Sequence, residues 1–367
     1  MRGWKEHLRI VWAIAAKDVG EGIRNKTILG NIVAMVFLVL FYRFAPVLEG
    51  DDLPRLIVYD QGHSRLVIEM ENSDQFKFYE LSSLDRVELF VGEASEVRLG
   101  LVLPDGFDQA LADGQPPVLD GYVAHWASRS EAAEIQAFFE GQLAELSGQA
   151  VRINMENVVY HQVGWGGFSF LTALGGVVAL VLMGTTVTHL MLEEKQAKTI
   201  DALMVSPASA GQIVMGKAVA GLVYCLTASS MVFVFNAVVV VNWGLLVLAT
   251  ICGALFTVAL GLLMGSLFET RQQMTMWGFV LISVLLLPVF MVIMGDILPD
   301  VVAVNLRWFP TVALSRVMQM SFSDSAPLGQ VVTNLATVLV GAVLILMGVD
   351  IGTFYRGLLP DDAGLDE

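Results

Sequence analysis

Six apolar runs, each long enough to cross a bilayer, constrain this chain more than any other feature of it. Residues 27–48 come first and the polar segment 51–163 follows. Residues 168–192, 218–241, 245–267, 276–294 and 328–349 complete the set. A helix needs roughly 20 apolar residues to cover the hydrocarbon core. The last five runs contain no Asp, Glu, Lys or Arg. With no water in the core to satisfy backbone groups, runs of this length must be helical. The expected fold is therefore a membrane all-α six-span bundle in a 1 + 5 layout, with an α/β domain inserted at 51–163.

The charge is unevenly spread. Of the formal net charge of −15, segment 51–163 supplies −13, from 20 acidic and 7 basic residues. Such a surface excludes nucleic acid, whose phosphates need a basic face. Cys225 and Cys252, the two cysteines, both fall in apolar runs. No disulfide or Cys-based metal site is thus expected in segment 51–163. The first apolar run begins too late and is too long for a cleavable signal, and reads as an uncleaved anchor.

Orientation follows the Lys/Arg bias of short loops. Arg2, Lys5, Arg9, Lys17, Arg24, Lys26, Lys195, Lys198, Lys217, Arg271 and Arg356 fall on one side. Leaving segment 51–163 aside, Arg307 and Arg316 are the positive charges on the other. Both termini are expected in the cytoplasm of a cell-membrane protein, with 51–163 exported. Trp165, Trp243 and Trp308 at outer ends and Trp277 at an inner end suit the headgroup layer.

Residues 1–26 form a cytoplasmic amphipathic helix, with Trp4, Leu8, Val11, Trp12, Ala15, Val19 and Ile23 on its apolar face. Such a helix lies in the membrane interface. In 51–163, short strands are expected at 56–59, 100–103 and 118–123. A helix is expected over 130–149, with Ser130 as its cap. Spans 2–6 occupy 168–349. A cytoplasmic loop at 193–217 and an amphipathic outer loop at 295–327 interrupt them, and 350–367 is a cytoplasmic tail. Gly261 and Gly265 have the spacing that lets helices approach closely.

Catalytic chemistry is absent from the pattern. The heptapeptide from Gly211 to Lys217 imitates the start of a phosphate-binding loop, but Ala218 replaces the required hydroxyl and no strand precedes it. His63, His125 and His161 are scattered in sequence, and the seventeen Met residues suit packing. No catalytic, cofactor or metal site is assigned. Ion-coupled carriers place ionisable groups at mid-bilayer, and these spans lack them. Energy for transport would enter from elsewhere.

The point of entry is the loop at 193–217. Glu193, Glu194 and Lys198 open a short charged helix carrying Ile200, Leu203 and Met204, which stops at Ser206-Pro207. A helix held below the membrane suits docking in the groove of a soluble partner. Glu193, Glu194, Lys198, Thr199, Leu203, Ser206, Pro207, Gly216 and Lys217 together resemble the loop after the second span in ABC-2 family permeases. Ala16-Lys17-Asp18 resembles that family's N-terminal helix. The stretch from Leu101 through Pro104 to Phe107 resembles the exported domain of its drug- and sodium-efflux branch, and so do Phe309-Pro310 with Arg316 before the last span.

The resemblance implies a permease subunit without its own ATPase site. It would export an amphipathic or lipid-like substrate, pair with a second copy or a paralogue, and be driven by a cytoplasmic ABC ATPase subunit. ATP would be used by that partner. Glu193, Glu194, Lys198, Thr199, Leu203, Met204, Ser206 and Pro207 would couple the two. The alternative is a membrane receptor or scaffold sensing a ligand through the exported domain, which the short inner loops disfavour.

The orientation is open to a direct check. In sealed cells an impermeant thiol reagent should label a cysteine placed at Ser128 and spare one at Gln196. The reverse pattern would invert the topology.

Overall fold

In a computed structural model, the described residues are 2–22, 29–33, 36–37, 53–93, 97–115, 118–161, 167–196, 209–293 and 305–349. After helix α1 (Arg2–Gly22), the polar segment forms β1 (Arg55–Asp60), α2 (Arg65–Glu71), β2 (Lys77–Leu81), α3 (Leu84–Glu93) and β3 (Val97–Leu103). It continues through α4 (Phe107–Ala112), β4 (Val118–Ala124), α5 (Arg129–Ser147) and β5 (Arg152–Val159). Of the first apolar run, residues 29–33 and 36–37 are helical and the remainder lies outside the described residues.

The five strands make one sheet in the order β2-β1-β3-β4-β5, parallel except for the β3–β4 pair. Alternation along each strand feeds two cores. Leu56, Val58, Leu99, Leu101 and Leu103 pack with Phe107, Phe139 and Leu143 on one face. Ile57 and Val97 pack with Val87 and Val91 of α3 on the other. Helices on both faces suit a mostly parallel sheet. Gly100 is small because α3 lies on it: a Cβ there would stand 2.5 Å from Val87 Cγ1.

The three strands expected from sequence are present, each slightly longer, and β2 and β5 add to them. Both of these are polar edge strands whose alternation is weak, which is why periodicity missed them. The cap of α5 is Ser128, which accepts the Glu131 N–H at 3.2 Å, and not Ser130. Gly148, at φ 71°, ends that helix in the left-handed region that favours glycine.

Among the described residues, five helices are long and apolar enough to cross a membrane. They are α6 (Gly167–Gln196), α7 (Ala210–Phe235), α8 (Trp243–Leu267), α9 (Arg271–Ile293) and, after the short α10 (Pro310–Met320), α11 (Leu328–Gly348). α6 is central. It meets α8 backbone to backbone: a Cβ on Gly184 would lie 2.6 Å from the Thr257 carbonyl oxygen, and one on Gly261 would collide with the Gly184 carbonyl. Thr188 Oγ1 closes the crossing by donating to Gly261 O at 2.9 Å. Gly265, one turn on, faces Met191.

The loop expected to lie in the outer interface at 295–327 is corrected in part by the structure; residues 295–304 lie outside the described residues. α10 is buried between α6, α8, α9 and α11, with Thr311, Leu314, Val317 and Met318 fully enclosed. Its Leu314 covers Gly253, about ten residues or roughly 15 Å into α8. From there it rises until Ser321 O accepts the Val241 and Asn242 N–H groups, at 3.1 and 2.8 Å. Thr311 Oγ1 donates to Leu285 O at 2.6 Å, near Pro288, where α9 loses a ladder donor. A helix buried on nearly every side is a core helix, not a surface one, and here its Ser315 and Gln319 are enclosed with the apolar residues.

The α6–α8 crossing gives a sharp expectation. Gly261→Ala forces a methyl against main chain that cannot step aside, and should cost about 1–3 kcal/mol, as overpacking does. Gly278→Ala, where a Cβ would meet nothing within 4 Å, should leave thermal unfolding in detergent unchanged. Equal melting curves for the two variants would refute the contact.

Candidate functional site

At the end of the bundle away from the sheet, α1 lies along the first turns of α7. Val11 and Ala15 bury their side chains there, and Gly216 leaves room for Ile14, whose Cγ2 would stand 2.6 Å from any added Cβ. Polar contacts fix the register. His7 Nδ1 and Gln212 Nε2 are 2.8 Å apart, and the Tyr224 hydroxyl donates to the Asp18 carbonyl at 2.9 Å.

Lys217 stands at the centre of this contact and is 1% exposed. Its Nζ donates to Asp18 Oδ2 and to Leu190 O, both at 3.4 Å, and forms an ion pair with Glu194 Oε2 at 2.8 Å. One ammonium thus ties three helices: α1 through Asp18, α6 through Glu194 and Leu190, and α7 through its own backbone. Lys17 approaches Glu194 from the open side at 4.0 Å. Burial raises the Asp18 carboxyl above its ordinary range, against the pull of Lys217. Two carboxylates sharing one cation keep a proton more readily than either would alone.

The last turn of α6 is held at four successive positions. Glu193 reaches Arg271 at 3.4 Å, and Glu194 reaches Lys217. Lys195 Nζ donates to the carbonyls of Gly265 and Phe268, at 2.8 and 3.1 Å, and so caps the end of α8. Gln196 Oε1 accepts from Arg271 Nε at 3.0 Å. A cation at a helix C-terminus is favoured by the peptide dipoles. Gln196, the last described residue of α6, therefore stands at a point fixed to α1, α7, α8 and α9 together.

Of the expected coupling residues, Glu193 and Glu194 belong to this clamp. Lys198, Thr199, Leu203, Met204, Ser206 and Pro207 lie outside the described residues. The expectation that Glu194 presents its charge to a partner is corrected: its side chain is 12% exposed and turned toward Lys217. Sequence reasoning passed over Asp18, Lys195, Lys217 and Tyr224 as members of a site. The available signal was Lys217 itself, because a lysine opening an apolar run is seldom buried unless paired. The Gly211–Lys217 resemblance to a phosphate loop fails here as well, since these residues are the first turns of α7.

A second cluster joins the sheet to the bundle. His125 and His161, far apart in sequence, have ring centroids 5.2 Å apart, and Trp126 stacks on His161 at 4.8 Å. Glu93 lies 3.5 Å from His161 Nδ1 and accepts the Ser169 hydroxyl of α6 at 2.7 Å. The expected scatter of histidines is therefore corrected for this pair. Burial, with His161 beside it, pushes His125 down to about 4, so it stays neutral at physiological pH. Among the described residues no group of three or more His, Cys, Asp or Glu is placed to hold a metal.

Residues 27–349 match the model of a family described as ABC-2 family transporter protein. No curated protein and no solved structure matches the chain.

The ion cluster predicts unequal costs. Lys217→Ala leaves Asp18 and Glu194 buried without their cation and should destabilise the protein by about 3–5 kcal/mol, as breaking a buried pair does. Arg271→Ala opens an exposed pair, with side chains 61% and 40% accessible, and should cost about 1 kcal/mol or less. Adding Asp18→Asn and Glu194→Gln to Lys217→Met should restore much of the loss. Thermal unfolding of the set decides the matter. A Lys217→Ala protein as stable as wild type would show that the cluster holds nothing together.

Proposed function

The chain belongs to the ABC-2 family of transporter proteins, and from that premise we propose that it is the permease subunit of an exporter powered by a separate cytoplasmic ABC ATPase. Members of this family serve as membrane components of ABC transporters, paired with ATPase subunits and with a second permease. In this reading the protein sits in the cell membrane with six spans, the first being residues 27–48. Both termini are cytoplasmic and 51–163 is exported. The Lys/Arg bias of the loops supports that orientation.

The observation that carries the mechanism is the clamp at residues 193–196. A force applied to residues 197–208 by an ATPase reaches a helix end already bound to α1, α7, α8 and α9. Packed elements with fixed ends move as bodies and do not absorb such a push locally. Leu203 and Met204 are the apolar anchors of the docking helix, and Lys198, Thr199, Ser206 and Pro207 shape it. Glu193 and Glu194 act one step back, by holding the base of that helix to the bundle. The cargo is an amphipathic or lipid-like molecule moved outward, between this permease and a second copy or a paralogue.

Leu203→Asp tests the assignment, because it puts a charge where an apolar anchor should fill a groove. Losing such an anchor typically costs about 2 kcal/mol or more. ATP hydrolysis co-purifying with the tagged chain from its own host's membranes should fall about 30-fold or more, in proportion to the weakened association. The elution volume of the variant should be unchanged. The purified chain alone should bind no ATP. Wild-type levels of co-purified hydrolysis in Leu203→Asp would overturn the coupling assignment.

A further inference from the structure

We propose that the groove between α10 and the sheet-side half of α11 binds the anionic headgroup of an amphiphile, with Arg307 and Arg316 as its cations. This rests on the exporter reading and narrows its substrate class. The groove encloses about 440 Å³ and is lined by Arg307, Trp308, Arg316, Gln330, Asn334 and Thr337, among others. Its lining on α11 runs from Gly329 to Thr337, eight residues or roughly 12 Å along the helix. With α11 spanning a bilayer whose hydrocarbon core is about 30 Å thick, a groove of that length extends from the outer end of the span toward its middle.

Two arginines at that depth call for a counter-charge. Arg316 is half-buried and lines the groove together with Arg307, so two like charges share it. Among the described residues neither guanidinium has a carboxylate partner; Asp296 and Asp300, the closest acids before them in sequence, lie outside those residues. Charges in a membrane are costly, pair where they can, and mark sites of function. The polar side chains of α11 offer little competition. Thr337 Oγ1 and Asn334 Nδ2 donate to the carbonyls of Thr333 and Gln330, at 2.9 and 2.8 Å. The charged donors of the groove are the two guanidinium forks, whose geometry matches a phosphate or carboxylate, and the Gln330 amide and Trp308 indole stand beside them.

The same face of α11 supplies the apolar half of the site. Gln330, Thr333 and Thr337 are followed at helical spacing by Val340, Leu344 and Met347, which are 56%, 64% and 78% exposed. One helix stripe is thus polar and arginine-flanked near the sheet and apolar beyond it. An amphiphile would lie along it with its headgroup between Arg307 and Arg316 and its tail on Val340 and Leu344. A soluble anion would use the first part alone.

The test reads lipid retention on the full chain in detergent, without any ATPase, so its outcome is independent of coupling. Native mass spectrometry with phosphatidylglycerol and phosphatidylcholine should show clear preference for the anionic lipid. Hydrogen bonds to charged groups are strong, so Arg307→Gln with Arg316→Gln should weaken that retention by about tenfold or more. Exposed Arg307→Gln alone should give a partial loss, which keeps the test valid if the double variant fails to fold. Leu344→Asn should weaken retention of both lipids. Unchanged retention in the arginine variants would overturn the proposal. So would displacement of the lipid by millimolar inorganic phosphate, which would make the groove a small-anion site. Loss of the dimer without loss of lipid preference would overturn it too, and assign the stripe to a contact between copies.

Discussion

Lys217 is the one cation sealed between α1, α6 and α7 among the described residues, and the geometry of that end of the protein depends on how it is paired. A buried ammonium is tolerated only when its surroundings repay the lost hydration. Here repayment comes from two carboxylates on two other helices and a carbonyl from one of them. The arrangement is over-determined. Asp18 cannot leave without loosening α1 from α7, and Glu194 cannot leave without freeing the last turn of α6. The value of such a cluster lies in specificity more than in raw stability, because hydrophobic residues of similar volume would hold the helices at least as well. A packed apolar contact tolerates sliding, whereas an ion pair at 2.8 Å fixes one register.

Glycine does for the middle of the bundle what charge does for its end. In a bilayer the lipid tails are as apolar as the helices, so association rests on close packing and interhelical hydrogen bonds. Gly184 and Gly261 let α6 and α8 touch main chain to main chain, and Thr188 supplies the bond across them. This tight pair leaves a space toward the sheet end that α10 fills. Leu314 enters over Gly253 and Met318 over Gly176. The small residues of α6 and α8 therefore make one decision: they admit a short helix into the interior of a membrane bundle.

Much of this was legible in the sequence, and the losses have physical causes. Spans were visible because a run of about twenty apolar residues is too long for an ordinary buried helix and matches the thickness of a bilayer. β1 and β3 were visible because their centres are apolar on both faces, and β4 because apolar residues flank its Asp120-Gly121 centre. β2 and β5 were hidden by exposure at the sheet edges. α10 was misplaced because Ser315, Arg316 and Gln319 read as a polar face toward water. In the structure Ser315 and Gln319 are 3% and 4% exposed, so their polarity is interior. Lys217 was masked by a motif: its two glycines drew attention to phosphate loops, when Gly216 is needed for contact with Ile14. The meeting of His125 with His161 is set by the β4–β5 pairing, which no local pattern announces.

The two ends of the bundle handle charge in opposite ways. At the end away from the sheet every charge from Glu193 to Lys195 is bound to a neighbouring helix, so motion applied there is passed on and little is absorbed. Toward the sheet, Arg307 and Arg316 flank a groove open along α11, and neither has a carboxylate partner among the described residues. Between them, α10 touches α6, α8, α9 and α11 at once. A shift of α6 relative to α8 would change the space that holds Leu314 and Met318, and with it the position of Arg316 on the same helix. Tight interiors do not deform smoothly; they exchange one packing for another. Arg316 is thus carried by a helix packed on both α6 and α8, the pair whose far ends the clamp joins.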